Sequence, residues 1–252
     1  MSQQNYGRLC TEFFSRSKPA ADEESLAFYM DYATGAGGPV LLPMCGTGHY
    51  LLPLLQAGVD AEGFDRSPAM VERCRENLQA AGLEDRVVCE DLLTRAPGRP
   101  CRLALIPSGS IGLLTEDEHL RAAFAGLASN LVPGGRLVFD FDNRSTPVAA
   151  VCAAGPIVTE LPGEGPLDPL RLTVTHSLNK AGDVLTACYT YEKTRPDGAV
   201  EEEREDIPVR LHDAGHLTGL LEEAGFRSSQ VWSSFAREDH DSMFSIIEAI
   251  RA

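Results

Sequence analysis

The stretch Val40-Leu41-Leu42-Pro43-Met44-Cys45-Gly46-Thr47-Gly48, followed by a helical run from Tyr50 to Ala57 and then by Asp65, constrains this chain more than any other. An apolar strand, a tight glycine turn, an amphipathic helix, a second strand and an acid at its tip are the parts of a nucleotide-binding βαβ unit. Gly46 and Gly48 let the backbone turn sharply and approach a ligand closely, which side chains there would block. Asp65 is placed to accept both hydroxyls of a ribose. A dinucleotide fingerprint needs a third glycine three residues after the second, and that position is Leu51, with Tyr50 adding bulk where a pyrophosphate would rest. A nicotinamide-dependent oxidoreductase is thereby disfavoured.

Beyond the Gly35 to Pro39 break, short apolar runs alternate with helical segments. The pattern predicts strands over 39–43, 60–64, 86–90, 101–106 and 135–142, and helices over 48–58, 67–82 and 116–131. Such alternation implies an α/β fold with a doubly wound, mostly parallel sheet covered on both faces. After Asp142 the pattern becomes a meander, with strands near 170–178, 184–193 and 200–209 separated by turns at Asn179 to Asp183 and at Pro196-Asp197-Gly198. A helix from His216 to Ala224 stops at Gly225, and two final strands follow too closely for a crossover helix, so they pair as an antiparallel hairpin. Two helical patterns precede the glycine turn, one around Tyr6 to Phe14 and one capped by Asp22. The expected organisation is an N-terminal helical lid over 1–37, a Rossmann-like core over 38–143 and 211–252, and an antiparallel β insert over 144–210 that caps the substrate. The acidic run Glu201 to Asp206 reads as a solvated edge strand that charge protects from pairing.

The formal charge of −15 disfavours nucleic acid as a partner and leaves room for a small or basic one. Seven widely spaced cysteines without a C-x-x-C pair read as reduced core residues, so no metal site is expected. No apolar run approaches the roughly 18 residues of a membrane span, and the polar N-terminus is unlike a signal peptide, so a cytoplasmic, membrane-free protein is expected. A homodimer is compatible with this reading.

Six segments in order extend the pattern: Cys45-Gly46-Thr47-Gly48, Gly63-Phe64-Asp65-Arg66-Ser67-Pro68-Ala69-Met70, Val88-Cys89-Glu90-Asp91-Leu92, Leu105-Ile106-Pro107-Ser108-Gly109-Ser110, Leu131-Val132-Pro133-Gly134-Gly135-Arg136-Leu137 and Glu223-Ala224-Gly225-Phe226. Together, over residues 38 to 250, the chain resembles the class I S-adenosylmethionine-dependent methyltransferases. The resemblance implies a seven-stranded Rossmann-like methyltransferase fold and S-adenosyl-L-methionine as cofactor, with S-adenosyl-L-homocysteine as product. It implies cofactor contacts at Pro43, Cys45, Gly46, Gly48, Asp65, Arg66, Asp91, Leu92, Pro107 and Ser108, with Asp91 meeting the adenine amino group. The insert resembles that of enzymes acting on glycine, amino sugars and secondary metabolites, which implies N- or O-methylation of a small organic acceptor. The chain departs from the family at Leu42, where most members carry the acid that holds the ammonium end of the cofactor, and at Met44, where they carry glycine. Those departures raise the alternative of a non-catalytic cofactor-binding or regulatory module, and they leave the ammonium to backbone carbonyls near Pro43 and Pro107-Ser108.

Candidate catalytic residues follow from the insert. Alternation places Leu172, Val174, His176 and Leu178 on one face, with Tyr189 and Tyr191 on the neighbouring strand. A sheet covering the cofactor mouth aims such a face at substrate, although a histidine on an apolar face is more often a packing residue. For a phenol or alcohol acceptor a histidine base becomes important, and His176 or His212 are the candidates. His49, next to the glycine turn, touches the carboxylate of the cofactor or merely caps the helix. His119 and His240, in charged stretches, read as solvated. Tyr6, with Phe13, Phe14 and Tyr29, forms an apolar lid or packs in the core.

Overall fold

The computed structural model describes residues 6–164, 167–237 and 242–252, with the side chains at 228 and 229 left aside. His240 lies outside the described residues. Two N-terminal helices, α1 (Arg8–Ser17) and α2 (Glu23–Thr34), precede β1 (Val40–Pro43), α3 (Leu51–Gln56), β2 (Ala61–Asp65), α4 (Pro68–Ala80), β3 (Val87–Cys89) and β4 (Cys101–Ile106). A 3-10 turn (Ser110–Leu113), α5 (Asp117–Asn130), β5 (Leu131–Asp142) and α6 (Val148–Ala153) follow. Next come β6 (Ile157–Leu161), β7 (Leu170–Leu178), β8 (Val184–Thr194), β9 (Val200–Arg210), α7 (Ala214–Glu223), β10 (Phe226–Trp232) and β11 (Phe244–Arg251).

The first sheet has seven strands in the order β10-β11-β5-β4-β1-β2-β3. β1 pairs in parallel with β2 on one side and β4 on the other, so the crossovers leave in opposite directions and a crevice opens at the carboxyl ends of β1 and β4. The hairpin predicted at the C-terminus is present, with β10 and β11 antiparallel and β11 antiparallel to β5. Leu41, Ala104, Ile106, Phe139 and Phe141 pack toward α5 and α7, while Val40, Leu42, Leu103, Leu105 and Val138 pack toward α2, α3 and α4. Burial on both faces explains why these strands read as nearly continuous apolar runs. Asp22 caps α2 by accepting from the Glu24 and Ser25 amides, and Ser67 caps α4 by accepting from Met70. The Pro133-Gly134-Gly135 turn does not stand outside the fifth strand. It is an irregularity within the ladder, where pairing shifts from Cys101 with Leu131 to Leu103 with Arg136.

The second sheet, β6-β7-β8-β9, is antiparallel and contains the three predicted strands plus β6, a short, largely exposed edge strand that follows Gly155-Pro156. Its apolar face, with Leu170, Leu172, Val174, Ala187 and Tyr191, packs on Leu9, Cys10 and Phe13 of α1 and on Met70 of α4.

The acidic run on β9 is not the solvated edge expected of it. Glu201, Glu203 and Glu205 alternate toward α1, and Glu205 is buried. The Glu203 carboxylate accepts from the amides of Leu9 at 3.1 Å and Cys10 at 2.9 Å, and Glu205 accepts from those of Tyr6 at 2.9 Å and Gly7. The cap residue Gly7 has no side chain to offer, so the orphan amides of the α1 N-terminus are satisfied from another sheet. Glu201 pairs with Arg8, Lys193 with Glu12 at 2.9 Å, and Arg16 donates to the Pro162 carbonyl at 2.7 Å, completing a polar belt along α1. Among the described residues no helix is long and apolar enough to cross a membrane, and no group of histidines, cysteines and acids is placed to hold a metal.

Candidate active site

Backbone conformation shapes the glycine turn. Met44, Gly46 and Gly48 take φ values of 55°, 54° and 89°, all left-handed. A Cβ on Gly46 would meet nothing within 4 Å, so this residue opens onto a cavity. A Cβ on Gly48 would lie 2.7 Å from the Cys74 sulfur, so packing against α4 is enough to require the second glycine. Met44 holds a conformation that costs an L-residue about 1–2 kcal/mol, offset by packing of its side chain against the α5 face of the core.

The cavity at this turn is lined along its length by residues from the ends of β1, β2, β3 and β4 and from α1. Asp65 accepts from the Gly46 amide through Oδ2 at 2.9 Å and from the Ser67 amide through Oδ1 at 2.9 Å. Burial pushes its pKa up, and the two amides pull against that shift. A carboxylate has about four lone-pair sites, so each oxygen keeps acceptor capacity toward the cavity. Asp91 accepts from Leu93 through Oδ1 at 2.9 Å, while Phe64, Leu92, Leu93, Leu113 and Leu114 supply an apolar wall. Thr47 lines the same cavity, and its buried hydroxyl has no hydrogen-bond partner.

Helix α1 forms part of the cavity wall through Phe14, together with Tyr6 just before it. Phe14 stacks on His49 at 4.9 Å and 21°. Burial and the nearby Lys18 lower the His49 pKa to about 4, so its imidazole is neutral at physiological pH. The Tyr50 hydroxyl bonds to Ser25 Oγ at 2.8 Å and accepts from Ser108 Oγ at 3.3 Å, tying α2 to the turn after β4. That turn is held from below by Asp140. Its Oδ1 accepts from the Ser108 amide at 2.9 Å and from the Tyr29 hydroxyl, and its Oδ2 accepts from the Gly109 amide at 2.6 Å. Ser108 and Gly109 can therefore both stay left-handed, at φ of 63° and 65°.

Of the residues predicted to meet a cofactor, Cys45, Gly46, Asp65, Arg66, Asp91, Leu92, Pro107 and Ser108 line this one cavity, and Pro43 and Gly48 belong to the backbone beside it. His176, Tyr189 and Tyr191 are not brought to the cavity. The alternation that put them on one face is present, with His176 opposite Ala187; α1 packs on that face at Tyr189 and Tyr191, while the half-buried His176 has an Nδ1 without a hydrogen-bond partner. The rings of Tyr189 and Tyr191 stack at 6.0 Å, and Tyr191 packs against Phe13 at 5.8 Å. Thr47, Leu113, Leu114 and Asp140 carried no assigned role in the sequence, although Thr47 stands inside the glycine motif, and Tyr50 was read only as bulk against a pyrophosphate. Asp140 was hidden in an apolar strand, because its partners come from α2 and from the turn after β4.

Residues 40–135, which hold the glycine turn, Asp65, Asp91 and the Pro107-Ser108 turn, match a family model described as a methyltransferase domain. Over these residues the chain carries a methyltransferase domain. The methyltransferase is similar in fold to an S-adenosylmethionine-dependent methyltransferase from Clostridium acetobutylicum, with a TM-score of 0.77, 12% identity and 96% of each chain covered. The sugar N-methyltransferase KedS8 from Streptoalloteichus gives a TM-score of 0.77 at 20% identity, covering 100% of this chain and 97% of that one. The amino pentose methyltransferase CalS10 from Micromonospora echinaspora, solved with S-adenosylmethionine bound, gives 0.66 at 17% identity with 100% of each chain covered. The cavity of the methyltransferase fits this cofactor: Gly46 leaves open space, Thr47 offers an unpartnered hydroxyl, and Asp65 and Asp91 retain acceptor capacity beside an apolar slot.

Proposed function

We propose that this methyltransferase transfers a methyl group to a nitrogen or oxygen of a small organic molecule, of the kind represented by sugars and secondary metabolites. The observation that carries the reading is the wall built by α1. The β9 carboxylates dock this helix against the second sheet, and Tyr6 and Phe14 thereby close one side of the cofactor cavity. The likeness to KedS8 and CalS10 extends over the whole chain, so it includes this second sheet and α1 as well as the cofactor-binding core.

S-adenosylmethionine, when bound, supplies an electrophilic methyl carbon on a sulfonium. In this reading Asp65 accepts the ribose hydroxyls, Asp91 takes the adenine amino group, and Leu92, Leu93, Leu113 and Leu114 flank the base. Thr47 and the Gly46 backbone hold the amino-acid end, which lacks an acid at Leu42. The Pro107-Ser108 turn, fixed by Asp140, borders the reacting end. Alignment and exclusion of water are the main contributions of the protein, and such positioning supplies ~7–11 kcal/mol in well-oriented systems. Calorimetry with S-adenosylhomocysteine tests the first part: binding in the micromolar range is expected, and no heat at millimolar concentration overturns it. Release of S-adenosylhomocysteine on incubation with amino sugars and hydroxylated aromatics tests the second.

A further inference from the structure

β5 ends in two carboxylates on one face, Asp140 and Asp142. Asp140 is engaged through both oxygens, holding Tyr29 and the amides of Ser108 and Gly109. Asp142 has no hydrogen bond or ion pair to its carboxylate among the described residues, and it is half-buried. Its Oδ2 lies 3.8 Å from the position a Cβ on Gly109 would take, beside the Pro107-Ser108 turn that lines the cofactor cavity. Across the ladder Asp142 faces Phe244. From Phe244 a run of ring contacts leads back to the cavity: Phe235 at 5.0 Å, Tyr29 at 6.2 Å from Phe235, and Tyr50, which lines the cavity, at 5.6 Å from Tyr29.

An unpaired, half-buried carboxylate is costly unless a counter-charge reaches it. Aromatic faces nearby add attraction for a cation and none for an anion. A neutral alcohol leaves the charge uncompensated, and a phosphate or carboxylate is repelled. An organic ammonium satisfies both features. We propose that Asp142 is the anchor for the ammonium group of the methyl acceptor, and that the acceptor is therefore a small aliphatic amine that arrives as a cation. The inference rests on the methyltransferase reading and narrows it from nitrogen or oxygen to nitrogen.

The anchor also handles the proton. An ammonium nitrogen has no lone pair, so one N–H bond breaks, its electrons stay on nitrogen, and the proton passes to the Asp142 carboxylate. The freed pair forms the N–C bond while the S–C bond breaks and its electrons remain on sulfur. Asp142 then returns the proton to water. Burial raises the Asp142 pKa, which brings it nearer to that of the amine and eases the first transfer.

The test uses isopropylammonium chloride, with 2-propanol as the neutral analogue of the same shape, titrated into the full chain loaded with S-adenosylhomocysteine. Saturable binding of the ammonium and none of the alcohol is expected. Asp142→Asn is expected to weaken ammonium binding at least tenfold with unchanged S-adenosylhomocysteine affinity and an unfolding temperature that does not fall, while Asp142→Glu keeps most of it. Absence of saturable ammonium binding, or binding that survives Asp142→Asn, overturns the proposal. Failure of S-adenosylhomocysteine itself to bind overturns the methyltransferase reading and this inference with it.

Discussion

At Asp65 one side chain serves the fold and the ligand together. Its two oxygens fix the amides of Gly46 and Ser67, so the glycine turn and the start of α4 are both set by the residue that faces the cavity. Hydrogen bonds to a charged group are worth ~1.5–3 kcal/mol each, and both amides lose their partner when the carboxylate is removed. Asp65→Ala is expected to destabilise the protein by about 3 kcal/mol in urea unfolding and to weaken S-adenosylhomocysteine binding more than tenfold by calorimetry. A stability loss with unchanged affinity would assign the acid to the turn alone. Asp65 was legible in the sequence because a strand-end acid follows the glycine turn at a fixed topological distance. The different tasks of Gly46 and Gly48 were not legible, since the Cys74 sulfur that excludes a side chain at Gly48 comes from another helix.

Between elements, the joint that matters most is α1 on β9. Most of the core elements could be read from local periodicity, because each buries a face its own sequence defines. The docking of α1 could not, since Glu203 caps Leu9 across 194 residues of chain. The alternation of Glu201, Glu203 and Glu205 was present as a period-two signal, but a run of acids resembles a solvated edge when the buried helix end is unseen. The same joint explains why Tyr189 and Tyr191 do not line the cavity, for α1 packs on the face they share. Glu205→Gln removes the charge opposite the Tyr6 and Gly7 amides while keeping the shape. Hydrogen exchange at residues 6–11 is expected to accelerate about tenfold or more, which corresponds to ~1.4 kcal/mol or more of lost protection. The KM for S-adenosylmethionine is expected to rise as Tyr6 and Phe14 leave the cavity wall. Unchanged exchange would show that apolar packing alone holds α1.

On the scale of the whole molecule, the two sheets meet where β9 runs into α7, and His212 sits at that junction. Its amide donates to the Asp142 carbonyl at 3.1 Å, its ring lies 6.3 Å from Phe141, and the residue is 1% exposed. Neither ring nitrogen has a partner at hydrogen-bond geometry, and burial together with Arg210 lowers the pKa to about 4. The unfolded chain titrates this group near 6.5, so the neutral ring is favoured in the fold. Stability from His212 is therefore complete above about pH 6.5 and is lost as the pH falls toward 4, on the order of 2–3 kcal/mol. Asp65, Asp140, Asp142 and Glu205 act in the opposite sense, because burial raises their pKa values and protonation on acidification favours the folded state. A pH profile of the natural protein mixes the two effects, and comparison with His212→Gln separates them. Urea unfolding from pH 7 to pH 4 is expected to show the natural protein losing about 2 kcal/mol relative to the variant, with most of the divergence below pH 6. Parallel profiles would mean that His212 protonates freely in the fold and that the junction between the sheets admits charge.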